Sequence, residues 1–151
     1  MSANTLQDLL TKHGVLLADG ATGTNLFAMG LETGDAPELW NVDYPERIAA
    51  NYQSFVDAGS DIILTNTFGG THYRLKLHNA AHRVHELNVA GVKIGRKVAD
   101  NAGRPVIIAG SIGPTGEIPE PMGSLSHSDA VTAFSEQAHA LKEGGADILW
   151  I

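Results

Sequence analysis

Four short apolar runs recur along this chain, and three of them lead into a small, polar, glycine-rich turn. The runs cover residues 15–18, 62–64, 106–109 and 148–151. The turns after the first three cover residues 19–24, 65–70 and 110–114. Continuous apolar runs of this length are typical of strands buried on both faces, as in a parallel sheet. Because ligand-binding loops in such sheets follow the carboxyl ends of the strands, these turns are the predicted functional site.

Segments with helical periodicity separate the four runs. The first predicted helix has Asp43 as its N-cap and Pro45 as its first residue, and it closes at Gly59. Its apolar stripe is Ile48, Tyr52, Phe55 and Val56. A second helix is predicted over residues 81–102. A third starts near Ser128 and stops at Gly144 and Gly145, and its predicted inward residues are Val131, Phe134, Ala138 and Leu141.

The alternation of strands and helices predicts an α/β fold, and two architectures satisfy it. One is a small open, doubly wound sheet, and the other is a (β/α)8 barrel of which four strands would be half. Residues 57–63 resemble residues 143–149, so a helix end, a tight turn and a strand recur as one unit. The segment 110–128 is predicted to be one long loop, and long loops in compact domains tend to be functional.

Composition excludes several classes of function. The net charge of −7 and the lack of a basic patch argue against nucleic acid as a partner. No apolar run approaches the roughly 18 residues of a membrane helix, and no signal-peptide pattern is visible, so we expect a cytoplasmic protein without a membrane partner. Cysteine is absent from the sequence, which excludes disulfides, a cysteine nucleophile and thiolate metal ligands within it.

The polar turns offer groups that bind small ligands, although each also has a purely structural explanation. Asp19 at a strand end can hold an ammonium group or can cap a tight turn. The turn 65–70 offers hydroxyl and amide donors, and residues 110–116 can cradle an anion or form a strained loop. If the strands are parallel, the three turns share one rim, which favours a ligand site. His78, His82 and His85 have helical spacing, for which a solvated helix face is favoured over a metal site.

Four segments together resemble the homocysteine S-methyltransferase family, which includes betaine–homocysteine methyltransferases and the homocysteine-binding module of methionine synthase. The segments are residues 17–24, 58–69, 109–114 and 145–149, in the family's order and spacing. The resemblance implies a (β/α)8 TIM-type barrel, of which this chain supplies roughly the first four strands. It also implies transfer of a methyl group to the thiol of homocysteine, which gives methionine.

The resemblance further implies a set of substrate-binding residues and a zinc ion. Asp19 is expected to bind the amino group of homocysteine, Gly20 to approach it through its backbone, and Ser111 to lie near the polar end of the amino acid. The remaining residues expected in the pocket are Thr22, Asn66, Thr67 and Phe68. Zinc is the cofactor expected of the whole family member, because coordination deprotonates the thiol. No catalytic residue is assigned within this chain.

The chain departs from the family in two places. The family's zinc ligands are cysteines, and none is present. The family's Glu-Thr after the fourth strand lies beyond Ile151, so residues 1–151 are interpreted as the N-terminal half of the barrel. We expect this half alone to bind zinc poorly, to associate with itself as a homo-oligomer or aggregate, and to be inactive in methyl transfer.

Two further questions stay open at the level of sequence. The methyl donor is a betaine-like cation, S-methylmethionine or a methylated cofactor. The alternative function is a small α/β enzyme or binding module that takes a phosphorylated metabolite through residues 110–116 without zinc. A non-catalytic half-barrel that serves as an assembly module is a third possibility.

Overall fold

The computed structural model of the protein describes residues 5–151 as helices packed on a parallel sheet. The α-helices are α1 Thr5–His13, α2 Thr22–Ala28, α3 Trp40–Asp43, α4 Pro45–Asp57, α5 His72–Leu75, α6 Val84–Asp100 and α7 His127–Gly144. Short 3-10 helices cover Pro37–Leu39, Lys76–His78 and Ala81–Arg83. The strands are β1 Ile62–Leu64, β2 Ile107–Ser111 and β3 Ile148–Trp150. Within residues 5–151, no helix combines the length and apolar character that crossing a bilayer requires.

The sheet has its strands in the order β1-β2-β3, all parallel. The first predicted strand, residues 15–18, is instead a single bridge between Ala18 and Ile62. The Asp19 N–H donates to the Ile62 carbonyl at 2.9 Å, and the Asp61 N–H donates to the Leu17 carbonyl at 2.7 Å. This segment lies at the edge of the described sheet, and a third bond joins the Ile62 N–H to the Leu17 carbonyl at 3.1 Å. These three bonds do not extend into a ladder, so the strand prediction was too long.

The predicted internal repeat is confirmed as one structural device used twice. Gly59 and Gly145 adopt φ values of +100° and +98°, which end their helices in the left-handed region. Two residues later, the Asp61 carboxylate accepts the Leu17 N–H at 2.9 Å. The Asp147 carboxylate accepts the Ile108 N–H at 2.8 Å in the same way. Each unit therefore fixes the start of a strand against the strand before it.

The two faces of the sheet pack against different helices. Ile63 and Ile108 belong to a core shared with α4, α6 and α7, whose members there include Tyr52, Val92 and Leu141. The opposite face presents Ile62, Ile107 and Ala109 to Leu9 of α1. Helix α1 was not predicted, because its short apolar pattern is weak beside those of the longer helices.

The first two predicted helices are present as α4 and α6, and they differ from the predictions mainly at their first residues. Helix α4 begins at Pro45, but its N-cap is Tyr44. Asp43 was predicted to be the cap and is instead the last residue of α3, which occupies the space before Pro45. The second predicted helix begins with the 3-10 turn Ala81–Arg83, and its α-helical part is α6.

Helix α7 buries part of the predicted face: Leu141 is buried and Ala138 packs partly buried against the core, as predicted. Its N-cap is Ser126, whose hydroxyl accepts the Asp129 N–H at 3.1 Å. Val131 and Phe134 were predicted to face inward and are 50% and 36% exposed. The buried residues are Ala133, Gln137, Ala140, Leu141 and Gly144. Small residues face α6 because the two helices approach closely: a Cβ on Gly144 would lie 2.7 Å from the Val92 Cβ.

Replacing glycine by alanine usually stabilises a helix, but close packing at Gly144 predicts that this replacement destabilises the protein. Gly144→Ala should lower the free energy of unfolding by about 1–3 kcal/mol, because the added methyl overlaps Val92. Gly23→Ala in α2 is the matched control, since a Cβ there has no atom within 4 Å. That change should raise stability by up to about 1 kcal/mol. Urea denaturation measures the change in the free energy of unfolding for both variants. A stabilising effect of Gly144→Ala would contradict the packing described.

Candidate functional site

A cavity of about 440 Å³ opens where the strands end. Its walls come from the segment after the first bridge, the loop after β1, the end of β2, and the stretch around the 3-10 helix Pro37–Leu39. The predicted site residues that line it are Gly20, Thr22, Asn66, Phe68 and Ser111. The shared rim predicted from the parallel strands is therefore present, and it encloses a space large enough for an amino acid.

Asp19 directly precedes the lining residue Gly20 and, like Thr67, is not itself one of the residues that line the cavity. Its Oδ2 atom accepts the Leu64 N–H at 3.0 Å. Burial raises the pKa of Asp19 to about 6, and the hydrogen bond from Leu64 opposes that shift. The turn that follows is shorter than predicted, because Thr22 already belongs to α2.

Asn66 is held by buried partners on several sides. Its N–H donates to the Tyr52 hydroxyl at 2.6 Å, and burial raises the pKa of that hydroxyl above its usual value. Its Nδ2 atom donates to the Pro37 carbonyl at 2.8 Å and to Asn41 Oδ1 at 2.9 Å. The Asn41 amide donates in turn to the Asn66 carbonyl at 2.8 Å. These bonds fix the loop after β1 against α3 and α4.

Thr67 is fully buried and lies behind the cavity wall. Its hydroxyl donates to the Ser111 carbonyl at 2.8 Å and lies 2.6 Å from the Thr65 hydroxyl. Thr65 Oγ1 accepts the Ser111 N–H at 3.1 Å. The two threonines therefore join the loop after β1 to the end of β2. The Ser111 hydroxyl itself has no partner among the hydrogen bonds of residues 5–151, and it is available to a ligand in the cavity it lines.

A second buried contact holds the far end of this loop. Gln137 of α7 donates to the Thr67 carbonyl at 2.6 Å and to Asn88 Oδ1 at 3.1 Å. Asn88 of α6 donates to the Gly70 carbonyl at 2.8 Å. Gly70 has no room for a side chain, because a Cβ there would overlap the Asn88 amide.

Phe68 is 60% exposed at the cavity mouth, and its backbone fixes the next loop. Its carbonyl accepts the Gly113 N–H at 2.9 Å, and a Cβ on Gly113 would lie 2.6 Å from that oxygen. The neighbouring Ile112 N–H donates to the Trp150 carbonyl at 2.9 Å. Two N–H groups of the predicted anion cradle are therefore already used, which disfavours the phosphorylated-metabolite alternative.

Glu38 is a charged residue on the cavity wall that no sequence pattern indicated. Glu38 is buried, and its Oε1 atom accepts the Gly69 N–H at 2.6 Å. Burial raises the pKa of Glu38, whereas nearby His78 and Arg74 lower it. Asp35 lines the same cavity. These residues lie in or near 3-10 turns without an apolar period, so no pattern in the sequence could have located them.

The described residues do not form a metal site. Within residues 5–151, no three histidine, aspartate or glutamate side chains converge as ligands, and the sequence has no cysteine. The three histidines with helical spacing do not share a helix. His78 and His82 lie in separate 3-10 turns, and His85 in α6 contacts Glu143 at 2.9 Å.

Comparisons with known proteins agree on one family. The sequence profile described as Homocysteine S-methyltransferase matches residues 16–151. The methionine synthase of Mycobacterium tuberculosis (strain ATCC 25618 / H37Rv) is 32% identical over 155 aligned positions, which cover 97% of this chain and 13% of that protein. The methionine synthase of Mycobacterium leprae (strain TN) is 30% identical over 146 positions, which cover 91% of this chain and 12% of that protein.

Solved structures give the same result. The crystal structure of the homocysteine methyltransferase MmuM from Escherichia coli in its metallated form superposes with a TM-score of 0.80 at 26% identity. Its oxidised form gives a TM-score of 0.76 at 28% identity. Each match covers 95% of this chain and 55% of MmuM. The chain therefore spans about half the length of this structural relative and about an eighth of the methionine synthases.

The raised pKa of Asp19 predicts how stability depends on pH. Between the ordinary aspartate pKa of 3.8 and about 6, the folded chain holds a proton that the unfolded chain has released. Proton binding by Asp19 therefore stabilises the folded chain fully below the ordinary pKa of 3.8, and this stabilisation is lost as the pH rises through about 6. Asp19→Asn still accepts the Leu64 N–H but has no carboxylate, so it should gain stability relative to the parent chain from about pH 4 to about pH 7.

Urea denaturation across that pH range measures the difference between the two chains. Asp57→Asn, which removes an exposed carboxylate on α4, controls for the general loss of one charge. A stability difference between Asp19→Asn and the parent that stays constant with pH would contradict a proton-binding Asp19.

Proposed function

Because this chain belongs to the homocysteine S-methyltransferase family, we propose that its cavity binds homocysteine as the acceptor of a methyl group. The observation that carries the proposal is the half-buried carboxylate of Asp19, which accepts the N–H of the lining residue Leu64 beside a cavity of about 440 Å³. A desolvated carboxylate attracts a substrate ammonium more strongly than an exposed one, since water competes less. The pKa of about 6 leaves Asp19 mostly ionised at neutral pH, and a bound ammonium stabilises the charged form further.

The other lining residues take complementary roles in this proposal. Gly20 lets the ligand approach the backbone, and the Ser111 hydroxyl bonds to the polar end of the amino acid. Thr22, Asn66 and Phe68 shape the walls. Thr67 is a positioning residue, because its hydroxyl joins two loops and does not reach the cavity.

The reaction we propose forms a bond between a donor methyl carbon and the homocysteine sulfur. The thiol gives up its proton, the donor leaves with the electron pair of its former bond to the methyl, and methionine results. The donor is a small molecule or methylated cofactor, of the betaine-like, S-methylmethionine or methylated-cofactor class. Because the acceptor is a free thiol, we place the reaction in the reducing cytoplasm.

We further propose that residues 1–151 are the N-terminal half of a homocysteine-binding (β/α)8 barrel. The sequential strand order supports this, because doubly wound sheets reverse their order at a switch point. Helices α4, α6 and α7 share one face of the sheet, as the outer helices of a barrel do. The match to 55% of MmuM supports it as well.

Zinc, which the family resemblance implies, does not fit the residues of this chain. The sequence has no cysteine, and the described histidines and carboxylates do not converge. We therefore propose that this chain binds and orients homocysteine. A metal held by these residues has no part in the proposed reaction. A zinc ion in the whole enzyme would be held by residues outside this sequence.

The exposed apolar residues of β3 support the expected self-association of the chain. Leu149 and Trp150 are 44% and 42% exposed, and Phe134 of α7 is also partly exposed. Exposed apolar side chains on the last strand of the described sheet favour pairing with another chain. We therefore propose that this chain forms homo-oligomers.

The role of Asp19 predicts a loss of homocysteine affinity. Isothermal titration of the 151-residue chain with L-homocysteine should give about tenfold or greater weakening in Asp19→Asn, because an ammonium–carboxylate contact is removed. Asp43→Asn, an exposed carboxylate outside the cavity, is the control and should bind as the parent does. Equal affinity of Asp19→Asn and the parent would contradict the proposed role. Protection from unfolding by a phosphate ester and not by homocysteine would favour the alternative function.

A further inference from the structure

Arg74 is a cation on the cavity wall that the proposed function has not used. It lies in α5, is exposed to solvent, and lines the same cavity as Ser111 and Glu38. Its backbone N–H bonds to Thr71. Among the described residues, its guanidinium makes no hydrogen bond and belongs to none of the ion pairs. An arginine that lines a cavity with all its side-chain donors unused is poised to bind an anion from outside the chain.

The surroundings of Arg74 explain why its guanidinium stays unpaired. The carboxylate of Glu117, in the neighbouring loop, already accepts the Lys76 ammonium at 2.7 Å. The Oε1 atom of Glu38 already accepts the Gly69 N–H. The guanidinium packs on the turn at Gly116, where a Cβ would lie 3.3 Å from Arg74 Nη1. Gly116 has a φ of +85°, so this backbone conformation also favours the absence of a side chain.

The cavity carries opposite charges that do not neutralise one another. Asp35 and Glu38 supply carboxylates, while Arg74 and His78 supply a cation and an imidazole. Among the described residues, no ion pair within 4.0 Å joins these two groups. They are nevertheless near enough for Arg74 and His78 to lower the pKa of Glu38. A zwitterion has two charged ends, so a cation on this wall complements the proposed ammonium site at Asp19.

We propose that Arg74, with His78 on the same cavity wall, is the subsite for the carboxylate of a small zwitterionic substrate. The inference rests on the proposed function, because it assumes that the cavity binds an amino acid. Two carboxylates share this chemistry: the α-carboxylate of homocysteine and the carboxylate of an amino-acid methyl donor such as S-methylmethionine. The planar guanidinium suits either one, because it binds a carboxylate through two parallel hydrogen bonds.

Matched ligand pairs that differ only in the carboxylate test this subsite. The first pair is L-homocysteine and 3-aminopropane-1-thiol, and the second is S-methyl-L-methionine and (3-aminopropyl)dimethylsulfonium. Each is titrated calorimetrically into the 151-residue chain and into Arg74→Gln and Arg74→Lys. Lys97→Gln is the control, since it removes an exposed cation of α6 that is not part of the cavity wall. Circular dichroism confirms that each variant is folded.

The expected result is a carboxylate-specific loss. Arg74→Gln should bind at least one of the two amino acids about tenfold more weakly than the parent chain, and it should bind the matching decarboxylated ligand with unchanged affinity. Arg74→Lys should bind that amino acid with an affinity between those of the parent and Arg74→Gln, because it keeps the charge and loses the paired hydrogen bonds. Lys97→Gln should bind every ligand as the parent does. The amino acid that loses affinity identifies the source of the carboxylate.

The remaining outcomes separate failure of this inference from failure of the proposed function. If Arg74→Gln binds both amino acids as the parent does, the subsite is wrong and homocysteine binding stands. The same holds if the parent binds each decarboxylated ligand as tightly as its amino acid. If the folded parent binds neither amino acid, the proposed function is wrong, and the inference is overturned with it.

Discussion

The loop after β1 can line a cavity only because buried side chains satisfy its backbone. Residues 65–70 leave the sheet, so their carbonyl groups have lost the ladder partners that a strand would supply. Asn41, Asn88 and Gln137 donate to the carbonyls of Asn66, Gly70 and Thr67 in their place. A buried carbonyl without a partner costs about 1–3 kcal/mol, so a loop at this depth requires such donors. These amides come from three different helices, and the wall therefore forms only when the helices are packed.

This dependence makes the cavity wall a product of tertiary packing. Tyr52 of α4 bonds to the Asn66 N–H, and Thr67 bonds to Ser111 at the end of β2. A ligand consequently meets groups whose positions are already determined, which lowers the entropic cost of binding. The charged residues at the rim have fewer such restraints, since Arg74 uses none of its side-chain donors within the described residues.

The sequence was most informative where one local rule decided the structure. Three strands, the ends of α4 and α7, and the convergence of the polar turns follow from apolar runs, glycine positions and the parallel sheet. Glu38 could not be predicted, because only the contact with Gly69 reveals its place in the wall. Half of the predicted inward face of α7 was wrong for a similar reason, although Leu141 and Ala138 do pack inward. Apolar periodicity favoured Val131 and Phe134, whereas close approach to α6 selected small residues.

In the glycine–aspartate turns at residues 59–61 and 145–147, the position of the following strand is set by a bond across the sheet and not by the helix before it. In both turns, the aspartate carboxylate bonds to a backbone N–H of the preceding strand or bridge, so the strand start is set by a neighbour across the sheet. The bond that holds each strand start therefore involves no residue of the helix before it. The ends of the strands, and the cavity built on them, are located from within the sheet itself.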